Sequence, residues 1–165
     1  MPIEKLKAHE AVNPKHVGEL VRQLRLDRCF KSPVVADKKT LVVLDGHHRL
    51  AAGKKLGLTK IPVYLVNYFD VSIRVYLRRK KMNLPRPGGR GFFFSFASLG
   101  KMDIQNIKNS VIDMGLSNNV FPKKTTRHLL PYRPRQINVP LEECFRGLEK
   151  NKNYVKKKLG KTDLL

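Results

Sequence analysis

The chain has 165 residues, 41% of them hydrophobic, which is enough to build a buried core and ordinary for a globular protein. Its 34 Lys and Arg against 13 Asp and Glu give a formal net charge of +21, so its surface attracts polyanions such as nucleic acid, nucleotides or phosphorylated metabolites. The apolar runs are strand-sized, short of a membrane span, and the opening Met1-Pro2-Ile3-Glu4-Lys5 lacks a signal-peptide core; no membrane partner and a cytoplasmic location are expected. Cys29 and Cys144 are too few and too scattered for a disulfide framework or a metal knuckle, and are expected as buried or half-buried thiols.

In chain order, Asn13-Pro14 reads as a helix start, with Asn13 as the N-cap and Pro14 in the first helical position. Val17, Leu20, Val21 and Leu24 then share one face, which predicts a helix to about Leu26. Pro33 to Ala36, the polar Asp37-Lys38-Lys39-Thr40, and Leu41 to Leu44 read as strand, turn and strand. A second helix follows Asp45 and ends at Gly57, after Lys54 and Lys55. Ile61–Val66 and Ile73–Leu77 are β-rich, Asn83–Gly91 is a Pro/Gly linker, and Phe92–Phe96 reads as a buried strand. Ile104, Ile107, Val111 and Met114 mark a helix from Asp103 to Gly115, and Pro122–His128 reads as an irregular polar loop. This order of elements is α+β, with a small mixed sheet and helices. One domain over 1–148, followed by a basic, flexible tail over 149–165, is the expected organisation.

The chemistry concentrates where a strand stops at Asp45-Gly46 and restarts as a helix at His47-His48-Arg49. Free N–H groups and the dipole at such a terminus favour an anion such as phosphate. Two imidazoles and a guanidinium in that first turn oppose the dipole unless an anion binds. Asp45 has two readings, an N-cap accepting backbone N–H bonds, or a magnesium ligand or orienting carboxylate beside a bound phosphate. Of the adjacent histidines, one is expected to pack inward and one to face the ligand, while Arg49 is suited to fork onto phosphate oxygens.

Lys123-Lys124-Thr125-Thr126-Arg127-His128 is a second set of phosphate donors, or else a basic surface loop. Neither a Walker A nor a dinucleotide glycine fingerprint is present. Glu10, beside His9, is either a surface acid or a general base. Arg74, Arg78, Arg79, Lys80, Lys81, Arg86 and Arg90 form one basic cluster, and the tail from Lys150 to Lys161 forms another; either is a candidate nucleic-acid contact.

Together these motifs resemble the free serine kinases of the ParB/sulfiredoxin superfamily. The resemblance runs from Leu6 to about Tyr76 and from about Gly115 to Phe145. It is carried by Leu6-Lys7-Ala8-His9-Glu10, Asp45-Gly46-His47-His48-Arg49, Asn67-Tyr68-Phe69, Lys124-Thr125-Thr126-Arg127-His128 and Ile137-Asn138-Val139-Pro140. It implies transfer of a phosphoryl group from ATP or ADP, with Mg2+, to the hydroxyl of free L-serine or a similar hydroxylated acceptor.

The same resemblance implies Glu10 as general base and Asp45 as a holder of the hydroxyl or the metal. Gly46, His47, His48, Arg49, Lys124, Thr125, Thr126, Arg127 and His128 would hold phosphates; apart from the resemblance, His9 and Arg78 are candidate acceptor contacts, with Arg78 or Arg79 either taking a substrate carboxylate or marking a more anionic acceptor. The chain departs from the family in a shortened middle region, in Leu77-Arg78-Arg79 where an aromatic patch is usual, in Asn67 for Asp, and in Lys123 for Pro. The competing reading is a non-enzymatic ParB-like nucleotide or nucleic-acid binder, although no helix-turn-helix follows the nucleotide motif. A sulfiredoxin-like reductase would need a cysteine where His47 stands.

Overall fold

The computed structural model describes residues 1–78, 103–117, 119–131 and 134–145. The linker over 83–91, the strand expected over 92–96 and the tail over 149–165 lie outside them.

Helix α1 (Pro14–Asp27) begins as expected, with the Asn13 side chain accepting the Lys15 N–H at 3.1 Å, and buries Val17, Val21 and Leu24. It ends at Asp27, one residue beyond the expected boundary, and its C-cap Arg28 is in a left-handed conformation (φ 55°). Strands β1 (Cys29–Phe30), β2 (Val34–Asp37) and β3 (Val43–Asp45) follow, then α2 (His47–Leu56) and β4 (Val63–Val66). Gly57 closes α2 at φ 76°, a left-handed position that glycine occupies without Cβ strain, and its N–H bonds the Gly53 and Lys54 carbonyls.

The central sheet has the order β3-β2-β4, with β2 antiparallel to β3 and parallel to β4. All four residues of β2 are buried because both faces of the sheet are covered, which is why the run is continuously apolar up to Asp37. Val34 and Ala36 face a core built with Leu24, Phe30, Leu50, Leu56, Ile61 and Phe145. Val35 faces a second core with Val42, Leu44, Tyr68, Val111 and Phe121.

The β2–β3 turn is organised by Asp37, whose carboxylate accepts the N–H groups of Lys39, Thr40 and Tyr68 and the Thr40 hydroxyl. Burial alone would raise its pKa, yet these hydrogen bonds hold it below the usual carboxylate range.

Helix α3 (Ile104–Leu116), capped by Asp103, covers the second core with Ile107, Val111 and Ile112. Strands β5 (Arg74–Leu77) and β6 (Thr126–Leu129) form a separate antiparallel ribbon, with Leu77 opposite Thr126 and Val75 opposite His128. The reading of 122–128 as a continuous loop is therefore corrected at its C-terminal end: residues from Thr126 onward are strand. Their partner lies some fifty residues earlier, so no local period announces the pairing. Strand β7 (Val139–Pro140) pairs with β1, and a short 3-10 turn, Leu141–Phe145, seals the first core. Cys29 is half-buried and Cys144 buried, both as free thiols, and burial pushes the Cys144 thiol up to about 11.

Candidate active site

The N-terminal segment 7–11 is extended and threaded between two partners. On one side the Lys7 N–H donates to the Leu41 carbonyl and the Val43 N–H to the Lys7 carbonyl, at 3.1 and 2.9 Å. On the other side the Phe121 N–H donates to His9 and the Ala11 N–H to Phe121, both at 2.8 Å. This threading carries Glu10 to the start of β6. There Glu10 Oε1 accepts the Lys124 N–H at 2.6 Å, and Oε2 accepts the Thr126 N–H at 2.9 Å. Lys124 adopts φ 62°, a left-handed conformation uncommon for a side-chain-bearing residue, and so turns its N–H onto the carboxylate.

Asp45 ends β3, but it does not cap α2. Gly46 is the N-cap, at φ 92°, and no side chain caps the first turn. The Asp45 carboxylate instead accepts from Arg49 Nη2 at 2.7 Å, while Arg49 Nη1 donates to the Pro33 carbonyl at 2.7 Å. With φ positive at Gly46, the chain turns too sharply at the strand end for the preceding carboxylate to reach back over the helix N–H groups.

A cleft of about 610 Å³ opens here. Glu10, Asp45, Gly46, His47, His48, Arg49, Arg78, Lys124, Thr126, Arg127 and His128 all line it. His9 and Thr125 do not. His9 is fully buried behind the wall, and Thr125 is 1% exposed, its hydroxyl donating to the Pro122 carbonyl at 2.6 Å. His16 and Leu20 of α1 also line the cleft; helical spacing puts Leu20 on the apolar face of that helix, and the sequence marks neither residue as part of the site. A second hollow of about 480 Å³ adjoins it, sharing Ser32, Asp45, Arg49, Arg127 and His128, and is walled by Val35, Leu129, Leu130 and Pro134.

The histidines resolve the apparent conflict with the helix dipole. His47 packs inward against His9, with ring centroids 4.5 Å apart, and burial followed by the charges of His9 and His128 lowers its pKa well below the usual value. His48 is lowered as well, by partial burial first and by His16 second; its Nε2 accepts the Asn13 N–H at 3.1 Å. Both are neutral imidazoles at pH 7, and Arg49 is neutralised by Asp45, so the first turn carries little net cation.

In the cleft wall itself, the His128 ring sits 5.5 Å from His9, and burial brings its pKa down to about 3. The ring donates to the Leu44 carbonyl, and its Nε2 accepts the Tyr68 hydroxyl proton at 2.8 Å. Tyr68 in turn lies under the Lys108 ammonium, 5.5 Å from the ring centroid, and Lys108 donates to the Asp70 carbonyl at 2.8 Å. Neither Tyr68 nor Lys108 was marked by the sequence as part of the site's support. Among the described residues no group of three His, Cys, Asp or Glu side chains is arranged to hold a metal ion, and no helix is long and apolar enough to cross a membrane.

No family model matches the chain. It is similar to the ATP-dependent L-serine kinase of Staphylothermus marinus, 22% identical over 225 aligned positions that cover 86% of this chain and 88% of that protein. It is also similar to the ADP-dependent L-serine kinase of Thermococcus kodakarensis, 24% identical over 87% of this chain and 91% of that protein. Both alignments are longer than this chain, so each relative carries a long segment without a counterpart here. Among solved structures, a free serine kinase with a glutamate replaced by alanine, in complex with ADP, superposes with a TM-score of 0.67 at 20% identity, covering 88% of this chain and 92% of that one. In sequence the chain is a relative of the free serine kinases, and it has their α+β fold.

Proposed function

We propose that the protein is a nucleotide-dependent kinase of free L-serine, producing O-phospho-L-serine. The observation that carries this reading is the placement of Glu10, a carboxylate on the cleft between the uncapped N-terminus of α2 and the cationic side chains of Lys124, Arg127 and Arg78. Phosphoryl transfer asks mainly for positioning and charge neutralisation, and this arrangement offers both.

In this reading the N–H groups of the first turn of α2, with Lys124 and Arg127, hold the donor phosphates. Arg78 takes the carboxylate of the acceptor. Glu10 removes the proton from the serine hydroxyl as that oxygen bonds to the terminal phosphorus and the bond to the nucleotide's bridging oxygen breaks. Asp45, exposed on the cleft with one oxygen engaged by Arg49, suits a magnesium ion, which takes one or two carboxylates plus substrate phosphates. Bound there, Mg2+ would offset charge on the phosphates. A cytoplasmic location goes with such a substrate.

The test is mass spectrometry of the products after incubation with magnesium, free L-serine and either ATP or ADP, beside a Glu10→Ala control. O-phosphoserine that is absent from the control is expected, and the productive nucleotide identifies the donor. Nucleotide binding with no phosphoserine from either donor would overturn the kinase reading in favour of a ParB-like binder.

A further inference from the structure

Thr126 has one hydroxyl proton and two neighbours able to accept it. Its hydroxyl donates to the Glu10 carboxylate at Oε2, 2.9 Å away, and its oxygen lies 3.0 Å from His9 Nε2. Where that proton goes next is set on the far side of the imidazole. His9 Nδ1 stands 2.7 Å from the Val43 carbonyl oxygen, a separation that requires an N–H donor between them. A neutral ring protonated at Nδ1 has a bare Nε2, which is placed to accept the Thr126 proton once Glu10 has taken up a proton and no longer accepts it. The Thr126 oxygen then presents a lone pair to the protonated Glu10 and accepts from it.

We propose that Thr126 and His9 form a proton relay behind Glu10, carrying the acceptor's hydroxyl proton from Glu10 through Thr126 Oγ1 to His9 Nε2. The inference rests on the kinase reading above. As the acceptor oxygen bonds to phosphorus and the nucleotide leaves, Glu10 gains the proton. Glu10 then donates to Thr126 Oγ1 while the Thr126 proton passes to His9 Nε2. Glu10 and Thr126 end as they began, and His9 holds a proton on each nitrogen until, after product release, the wire runs back and Glu10 gives the proton to water in the emptied cleft. Both residues act through Glu10 and are positioning residues.

The surroundings of His9 suit this duty. Burial, the largest influence, brings its pKa down to about 4, so the ring is neutral at pH 7 and its bare Nε2 is free to take a proton. The ionisable groups facing it are Glu10 on its own segment, which favours the imidazolium, and His47 on α2 and His128 on β6, both neutral. Phe121 closes the remaining side. His47 Nε2 lies 3.1 Å from His9 Nδ1 and shares the proton that Nδ1 gives to Val43.

Two variants separate relay from packing. Thr126→Val keeps the backbone N–H on Glu10 and the side-chain shape but removes the hydroxyl; Thr126→Ser restores it. In the full-length protein, Thr126→Val is expected to lower kcat for phosphoserine formation by about tenfold or more with the nucleotide Kd within about threefold, and Thr126→Ser to recover most of the loss. The wild-type rate in mixed H2O and D2O should follow a curved proton inventory that becomes linear in Thr126→Val. A Thr126→Val rate within about twofold of wild type, or a serine variant no better than valine, overturns the relay.

Ring 15N spectra test the wire without turnover. His9 as the Nδ1–H tautomer, with an Nε2 resonance that moves in Thr126→Val, is expected, and an Nε2–H tautomer overturns the proposal. An absence of phosphoserine from the wild type overturns the kinase reading, an outcome distinct from the wrong tautomer.

Discussion

Glu10 and Thr126, 116 residues apart, meet twice: Glu10 Oε2 accepts the Thr126 backbone N–H at 2.9 Å and lies 2.9 Å from its hydroxyl oxygen. Together with the Lys124 N–H on Oε1, this makes Glu10 both the reactive carboxylate of the proposed site and the anchor that joins the N-terminal segment to β6. Removing it should therefore do two things. Glu10→Ala is expected to abolish phosphoserine formation and also to cost about 2 kcal/mol of stability, because two backbone donors lose their charged acceptor. Glu10→Gln keeps an acceptor oxygen and should recover part of the stability while remaining inactive. Urea unfolding beside product assays checks both variants.

Arg49 locks the entry of α2 to the sheet, donating to Asp45 and to the Pro33 carbonyl. Lysine keeps the charge but reaches only one of these with a single ammonium. Arg49→Lys is expected to cost about 1 kcal/mol and to weaken nucleotide binding several-fold, since the Asp45–Gly46 turn is released at the mouth of the phosphate site. Calorimetric titration with nucleotide and urea unfolding measure the two effects.

The buried histidines make stability depend on pH with a definite sign. His9 and His128 have folded pKa values lowered to about 4 and about 3, against the ordinary value of 6.5. Below pH 6.5 the unfolded chain binds protons that the folded chain refuses, so stability present above pH 6.5 is lost as pH falls toward 4. At pH 5 the loss is expected to be about 2 kcal/mol for each of the two relative to pH 7. Urea unfolding at both pH values tests it, and His128→Gln should reduce the difference.

Gly115 faces Val42 across the second core, and a Cβ there would lie 2.7 Å from both Val42 methyl carbons. Alanine ordinarily favours a helix over glycine by about 1 kcal/mol, but here overpacking opposes it. Gly115→Ala is expected to destabilise by about 1–2 kcal/mol net, and Val42→Ala in the same chain to relieve part of that clash. A double-mutant cycle of melting free energies that shows no favourable coupling would contradict this packing.

Local signals determined much of this protein. Asn13-Pro14, Gly57 and Asp103 mark helix ends by their own backbone and hydrogen-bonding preferences, and α1, α2 and α3 begin or stop beside them. The apolar runs gave β2 and β3, and the Asp45-Gly46 break gave a strand-to-helix turn, because each depends on neighbours only a few residues away. Tertiary structure decided the rest. Thr126 to His128 became strand because β5 pairs with them, and Asp45 went to Arg49 rather than to the helix N–H groups because Gly46 turns at positive φ. His47, His9 and His128 are neutral because burial and one another's proximity remove water from all three, a property of the assembled interior rather than of any residue in the chain. Glu10 reached the cleft only because segment 7–11 is threaded between β3 and Phe121, contacts whose loop-closure cost is repaid by packing and hydrogen bonds that no short window of sequence contains.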